Sequence, residues 1–373
     1  MMKLLTTITL RLVFSVPVDL DWGLLSDISI SPNNQSERLI LDTGSTVTWI
    51  YNSAILGGLN YTAPGRGFNP DQMSIITNRY ADSQVEYADG AGVEIDVWGL
   101  RNFTIGDHSW PQRFGIVSRG SISLNLEYSG ILGLSPVSDF VLTYPRFGFR
   151  PKNDEFVEMF FSALNPSMCE SPIVKADVVD SSNWDIWGKV RIGNGLPEKV
   201  VFLPDSGSSA IFLPKTHFAK FRDELNEKGI AFLYDEEDRL RPGEFPCDSR
   251  QLLPEIHLEF SPSTVLTITP DLYVRNRDNG DCRIGVLSSD GDVMPVILGE
   301  AFFRHFVIAF DAELLTVQIC KPLSVDGVVQ ETHIIQNSST PSPVVEETTT
   351  ASRSTHSIAW TFAQVILVIV IFS

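Results

Sequence analysis

One short pattern occurs twice in this chain, and both copies sit in the same frame. The first is LILDTGSTVTWI at residues 39–50, and the second is VVFLPDSGSSAIFLP at residues 200–214. Each runs from an apolar strand through aspartate, a hydroxyl residue, glycine and serine into another apolar strand. Each is followed at a similar distance by a second apolar signature. Ile131 of GILGL lies 89 residues after Asp42, and Ile297 of VILGE lies 92 residues after Asp205. Either short motif alone is common; the shared order and spacing describe two copies of one β-rich unit. A carboxylate between two buried strands is costly unless it is hydrogen-bonded or has a task. Two similar halves packed about a pseudo-twofold axis bring equivalent loops together, which faces Asp42 towards Asp205.

That pairing gives the loops a chemical purpose. Two carboxylates in close contact do not both ionise easily, so the pair holds one proton across a broad acid range. One aspartate is then a base and the other an acid at the same pH. A water held between them can be deprotonated as it attacks a carbonyl carbon, while the other carboxyl protonates the carbonyl oxygen. Gly44 and Gly207 let the backbone approach the pair, and Thr43, Ser45, Ser206 and Ser208 supply hydroxyls to hold it. The expected chemistry is hydrolysis without metal, cofactor or covalent intermediate.

Rival readings lose on the same residues. Aspartates in turns are usually caps or Asx-turns, but a cap does not explain recurrence in a duplicated frame. A glycosidase also uses two carboxylates, yet no barrel-like βα alternation is present. The six histidines contain no H-x-x-x-H, and G-x-S-x-G is absent, which disfavours metallohydrolase and serine-hydrolase readings.

Composition bounds the setting. The chain has 373 residues, 43% hydrophobic and 20% charged, enough for large cores. Its 26 glycines and 22 prolines suit many short strands and tight turns. A net charge of −18 argues against nucleic acid. Residues 1–16 read as a signal peptide, with Lys3 ahead of an apolar run. Residues 323–357 read as a Ser/Thr/Pro-rich stalk, and residues 358–373 as an apolar tail. The tail is either a glycolipid-anchor signal, with Ser352 one candidate attachment residue, or a short membrane segment. Sequons at Asn34, Asn60, Asn102 and Asn337 suit export. Four cysteines, Cys169, Cys247, Cys282 and Cys320, allow two bridges in three pairings.

Over roughly residues 20–322 the sequence resembles the pepsin-like aspartic proteases, of eukaryotic and fungal type. The motifs LILDTGSTVTWI, VEYADG, SGILGLSP, FLPDSGSSAIFLP and VILGEAFFRHFVIAFD carry the resemblance. It implies an all-β, two-lobed fold with an active-site cleft between lobes 17–164 and 165–322. It implies that Asp42 and Asp205 are catalytic and that Thr43 and Ser206 interlock beneath them. Residues 85–99 then resemble the flap, with Tyr87, Ala88, Asp89 and Gly90 at its tip and Trp49 as the partner of Tyr87. The resemblance also implies a Cys247–Cys282 bridge, with Cys169 and Cys320 forming the other. Polypeptide substrates, acid pH and a monomeric chain outside the cell, tethered through its C-terminus, follow as expectations. The alternative is a catalytically inert cell-surface binding protein of the same fold. No counterpart of the family's Gly-Gly-x-Asp strand is visible in residues 161–194, which leaves the sheet joining the lobes without an identified strand.

Overall fold

The structure, a computed structural model, describes residues 14–19, 23–31, 35–53, 67–68, 84–86, 92–120, 128–152, 156–230, 232–234, 240–242, 245–261, 264–276, 281–289 and 294–323. The leader apart from its last three residues, Tyr87 to Gly90, the stalk beyond Leu323, the tail and the sequons at Asn34, Asn60 and Asn337 lie outside these residues.

The two motif strands behave alike. In Gln35–Asp42 side chains first alternate between solvent and interior and then become buried through to Asp42. In Glu198–Pro204 the same progression leads into Asp205. Alternation is what a strand with one wet face requires, and a continuous buried run means that both faces are covered. Each strand therefore passes from the surface into the interior and delivers its aspartate there.

The pairing around these strands is also repeated. Gln35–Asp42 lies antiparallel to Gly23–Ile30 and parallel to Gly130–Gly133, which is antiparallel to Trp49–Tyr51, itself parallel to His108–Gly120. Glu198–Pro204 lies antiparallel to Ile186–Ile192 and parallel to Val296–Leu298. That strand is antiparallel to Ile211–Leu213, which is parallel to Val286–Ser288. The two ILG segments are thus the strands laid beside the two aspartate strands. The fold is all-β with two lobes.

A further run of strands joins the two halves of the sequence. Its order is Val174–Asp177, Thr316–Cys320, Val307–Asp311, Arg146–Pro151, Phe156–Phe160 and Phe14–Asp19, continuous with the first motif sheet. Val174–Asp177 is the strand that the sequence left unidentified. It pairs with Thr316–Cys320 at the sheet edge, and only Val174 is fully buried. Phe14, Ser15 and Val16 pair with Met159, Glu158 and Val157, which places the first described strand alongside Phe156–Phe160. Arg146 clasps Asp311 at 3.0 Å across this sheet, and Phe147 stacks on Phe310 with centroids 5.0 Å apart.

Helix Lys215–Glu227 covers the second motif sheet through Phe218, Phe221 and Leu225, spaced to share one helical face. Disulfides join Cys169 to Cys320 and Cys247 to Cys282. Among the described residues no helix is long and apolar enough to cross a membrane.

Candidate active site

The aspartate loops meet at the interior ends of their strands. Asp42 is 0% exposed and Asp205 1%. Each carboxylate is first satisfied by its own loop. The Gly44 N–H donates to Asp42 Oδ1 at 2.9 Å, and the Gly207 N–H donates to Asp205 Oδ1 at 2.9 Å. The Ser208 hydroxyl donates to Asp205 Oδ2 at 2.8 Å. Ser45 instead turns its hydroxyl to the carbonyl of Val47 at 3.2 Å.

The loops also lock onto each other. Thr43 Oγ1 donates to the Pro204 carbonyl at 2.8 Å and accepts from the Ser206 N–H at 3.0 Å. Ser206 Oγ donates to the Leu41 carbonyl at 2.5 Å and accepts from the Thr43 N–H at 3.1 Å. Four reciprocal bonds between buried groups fix the relative position of the two strands. The glycines show how close the approach is. A Cβ on Gly44 would stand 2.7 Å from Asp205 Cγ, and one on Gly207 would stand 2.5 Å from Asp42 Cγ. Only a residue without a side chain fits against the opposite carboxyl at either place.

This geometry sets the electrostatics. Burial pushes the Asp42 carboxyl well above the ordinary carboxylate range, and the charge of Asp205 and a hydrogen bond to it push the same way. Burial also raises Asp205, while hydrogen bonds from Asp42, Ser208, Gly207 and Gly44 pull it back. Asp42 Oδ2 has no hydrogen-bond donor among the described residues apart from what the facing carboxyl supplies. A proton on Asp42 directed at Asp205 meets both conditions, since a buried pair of bare carboxylates has nothing else to neutralise it.

Trp49 is buried in a cluster with Val85, Val93 and Ile95. Val85 and Val93 face each other in the hairpin formed by Gln84–Glu86 and Gly92–Ile105, so Trp49 packs on the stem whose connection is residues 87–91. Other contributors were not singled out from the sequence. Trp184 Nε1 donates to the Leu134 carbonyl at 2.8 Å, tying the first ILG turn to the later half of the chain. Thr48 Oγ1 accepts from the Gly133 N–H and from Gln112 Nε2, each at 3.1 Å. Among the described residues no group of three or more His, Cys, Asp or Glu is placed to hold a metal.

A duplicated β fold that buries two aspartates face to face on D-x-G-S loops defines a class, the pepsin-like aspartic proteases. A family model described as eukaryotic aspartyl protease matches residues 24–321, and the chain belongs to that family. It is similar to gastricsin from Callithrix jacchus, 24% identical over 326 residues that cover 79% of this chain and 80% of the relative. Gastricsin from Oryctolagus cuniculus is 25% identical over 339 residues, covering 79% and 80%. Plasmepsin IV from Plasmodium falciparum is 22% identical over 323 residues, covering 76% and 66%. These relatives support membership at the level of the pepsin-like family and do not support the narrower fungal type.

Proposed function

We propose that this protein is an aspartic endopeptidase that hydrolyses polypeptides through a water activated between Asp42 and Asp205, most effectively at acid pH. The observation that carries the reading is the facing of the two buried carboxyls across Gly44 and Gly207. Asp42, which has an oxygen without any other donor, holds the shared proton, and Asp205, whose two oxygens accept from Gly207 and Ser208, is the base. The water oxygen attacks the peptide carbonyl carbon. Asp205 takes the water's proton, and Asp42 gives its own to the carbonyl oxygen. Asp42 then removes a proton from the resulting gem-diol, Asp205 delivers one to the amide nitrogen, and the C–N bond breaks. The products are a carboxylic acid and an amine, and the pair returns to its starting state. Thr43 and Ser206 keep the two loops in register throughout.

The flap role of Tyr87, Ala88, Asp89 and Gly90, the lobe limits 17–164 and 165–322 and the monomeric state belong to the same proposal. So do export and attachment at the cell surface by a glycolipid. Two disulfides suit an oxidising compartment, and Asn102 is exposed on its strand, open to glycosylation.

The test is cleavage of a peptide library between pH 3 and 7 by the purified protein lacking residues 324–373, with and without pepstatin. Acid cleavage that pepstatin stops is the expected result. A folded protein that cleaves nothing and still binds a surface partner would replace this reading with the inert binding protein.

A further inference from the structure

The two aspartate loops are braced from behind in different ways. Behind Asp42 the contacts are neutral. Thr48 and Gln112 hold the Gly133 turn, and Trp110 Nε1 donates to Gln112 Oε1 at 2.7 Å. Behind Asp205 the bracing is charged. Glu300 directly follows Gly299 of the second ILG turn and is completely buried. Its N–H donates to the Ser208 carbonyl at 2.6 Å. Its carboxyl oxygens accept from Arg275 Nη2 at 2.6 Å and from Arg304 Nε. The same Arg275 Nη2 donates to the Ser209 carbonyl at 2.7 Å.

Arg275 therefore holds two groups at once: the backbone where the Asp205 loop turns into strand Ile211–Leu213, and the carboxyl of the residue bonded to Ser208. Ser208 in turn holds Asp205 Oδ2. The anchor for this clamp lies outside the loop. Arg275 stands on strand Val274–Asn276, which pairs with Asp281–Ile284, and that strand carries Cys282 of the Cys247–Cys282 bridge.

We propose that Arg275 is a positioning residue for the dyad. It holds the Ser208–Ser209 backbone so that the Ser208 hydroxyl stays on Asp205, and it ties that loop to the disulfide-bonded part of the second lobe. This rests on the proteolytic reading of the pair. The planar guanidinium suits the task because it serves two acceptors at fixed angles, whereas an ammonium is a point charge on a flexible stem. Without it, the buried carboxyl of Glu300 and the Ser209 carbonyl lose a donor together, and the loop they flank is free to shift. A displacement of the reacting groups by about 1 Å costs on the order of 10²-fold in rate.

The experiment compares wild type, Arg275→Ala, Arg275→Lys and Glu300→Gln in peptide cleavage and in amide hydrogen exchange over residues 203–212. Arg275→Ala is expected to lower kcat by at least about tenfold with KM within about twofold, the signature of an interaction used in the transition state. Exchange in 203–212 should rise while exchange in strand Gly130–Gly133 stays the same. Millimolar guanidinium should restore part of the rate, because Arg275→Ala vacates the place where a guanidinium meets Glu300 and the Ser209 carbonyl. Arg275→Lys should fall between wild type and Ala. Unchanged kcat, or unchanged exchange in 203–212, would overturn the proposal. A loss of KM alone, or equal exchange gains in both segments, would also overturn it in favour of a general structural role. If Arg275→Ala does not fold, Arg275→Lys and Glu300→Gln decide the matter by the same two readouts. If wild type cleaves nothing, the proteolytic reading fails, and the exchange measurement alone still decides whether Arg275 braces the loop.

Discussion

Replacing Gly207 with alanine isolates the closeness of the two loops. The change keeps the Gly207 N–H that donates to Asp205 Oδ1 at 2.9 Å. What it adds is one methyl group, 2.5 Å from Asp42 Cγ, 2.6 Å from Oδ1 and 2.8 Å from Oδ2. Ordinary contact begins near 3.4 Å, so the carboxyl and the loop must separate by about 0.9 Å. Neither side yields freely, because Asp42 is buried and its loop is locked by Thr43 and Ser206. A shift of about 1 Å in a reacting group costs on the order of 10²-fold in rate, or roughly 2.7 kcal/mol of barrier. Overpacking a filled site costs a further ~1–3 kcal/mol of stability. The assay is kcat/KM for an acid-cleaved peptide, paired with the urea midpoint to confirm that the variant is folded. Gly44→Ala, whose methyl would meet Asp205 Cγ at 2.7 Å, should show a loss of the same order. If both variants fold and retain kcat/KM within about threefold of wild type, the loops are not in the contact on which the mechanism depends.

Other outcomes follow from the same geometry. Asp42→Asn and Asp205→Asn should each lower cleavage by at least about 10³-fold while circular dichroism shows the fold retained, since either change removes the proton-sharing pair; substantial activity in either ends the dyad mechanism. Stability should fall as pH rises from about 4.5 to 7. Burial pushes Glu300 up from 4.5 to about 7 against the pull of Arg275 and Arg304, so over that window the folded chain keeps a proton that the unfolded chain has released. The linked loss is roughly 3 kcal/mol for this group. Melting scans across the window should slope less in Glu300→Gln, and an equal slope would show that Glu300 does not titrate there. Cys247→Ser/Cys282→Ser should cost about 3–4 kcal/mol in chemical unfolding, and loss of Cys169–Cys320, which spans 151 residues, nearer 5 kcal/mol; a larger loss for the shorter loop would argue against the chain-entropy account. Trp184→Phe removes the donor from the buried Leu134 carbonyl and should cost about 1–3 kcal/mol in the same assay, with no change expected if water replaces the indole.

The duplicated frame made the main architecture legible, because burying both faces of a strand demands a long apolar run and such runs are visible. Leu39 to Leu41 and Phe202 with Leu203 announce strands that pass through the interior. Val174–Asp177 carries no such signal. It lies at a sheet edge with Lys175 and Asp177 exposed, so one buried valine suffices and the sequence reads as polar. Helix Lys215–Glu227 also went unread, although Phe218, Phe221 and Leu225 have helical spacing. Its first turn has no side-chain cap, so the boundary signal that marks many helices is missing.

The site divides along a similar line. Residues that serve both loops in the same way recur in sequence, so Asp42 with Asp205, Thr43 with Ser206 and Gly44 with Gly207 are found by comparing the chain with itself. Residues that make the loops differ cannot be found that way. Ser45 and Ser208 are equivalent in the repeat, yet only Ser208 donates to its aspartate. Leu134 and Glu300 both follow an ILG turn, yet one is a buried hydrocarbon and the other a buried carboxyl between two guanidiniums. Two aspartates in identical surroundings would have no preference for which holds the proton. The difference between acid and base comes from contacts that break the repeat, such as the Ser208 hydroxyl bonded to Asp205 where the hydroxyl of Ser45 turns to Val47.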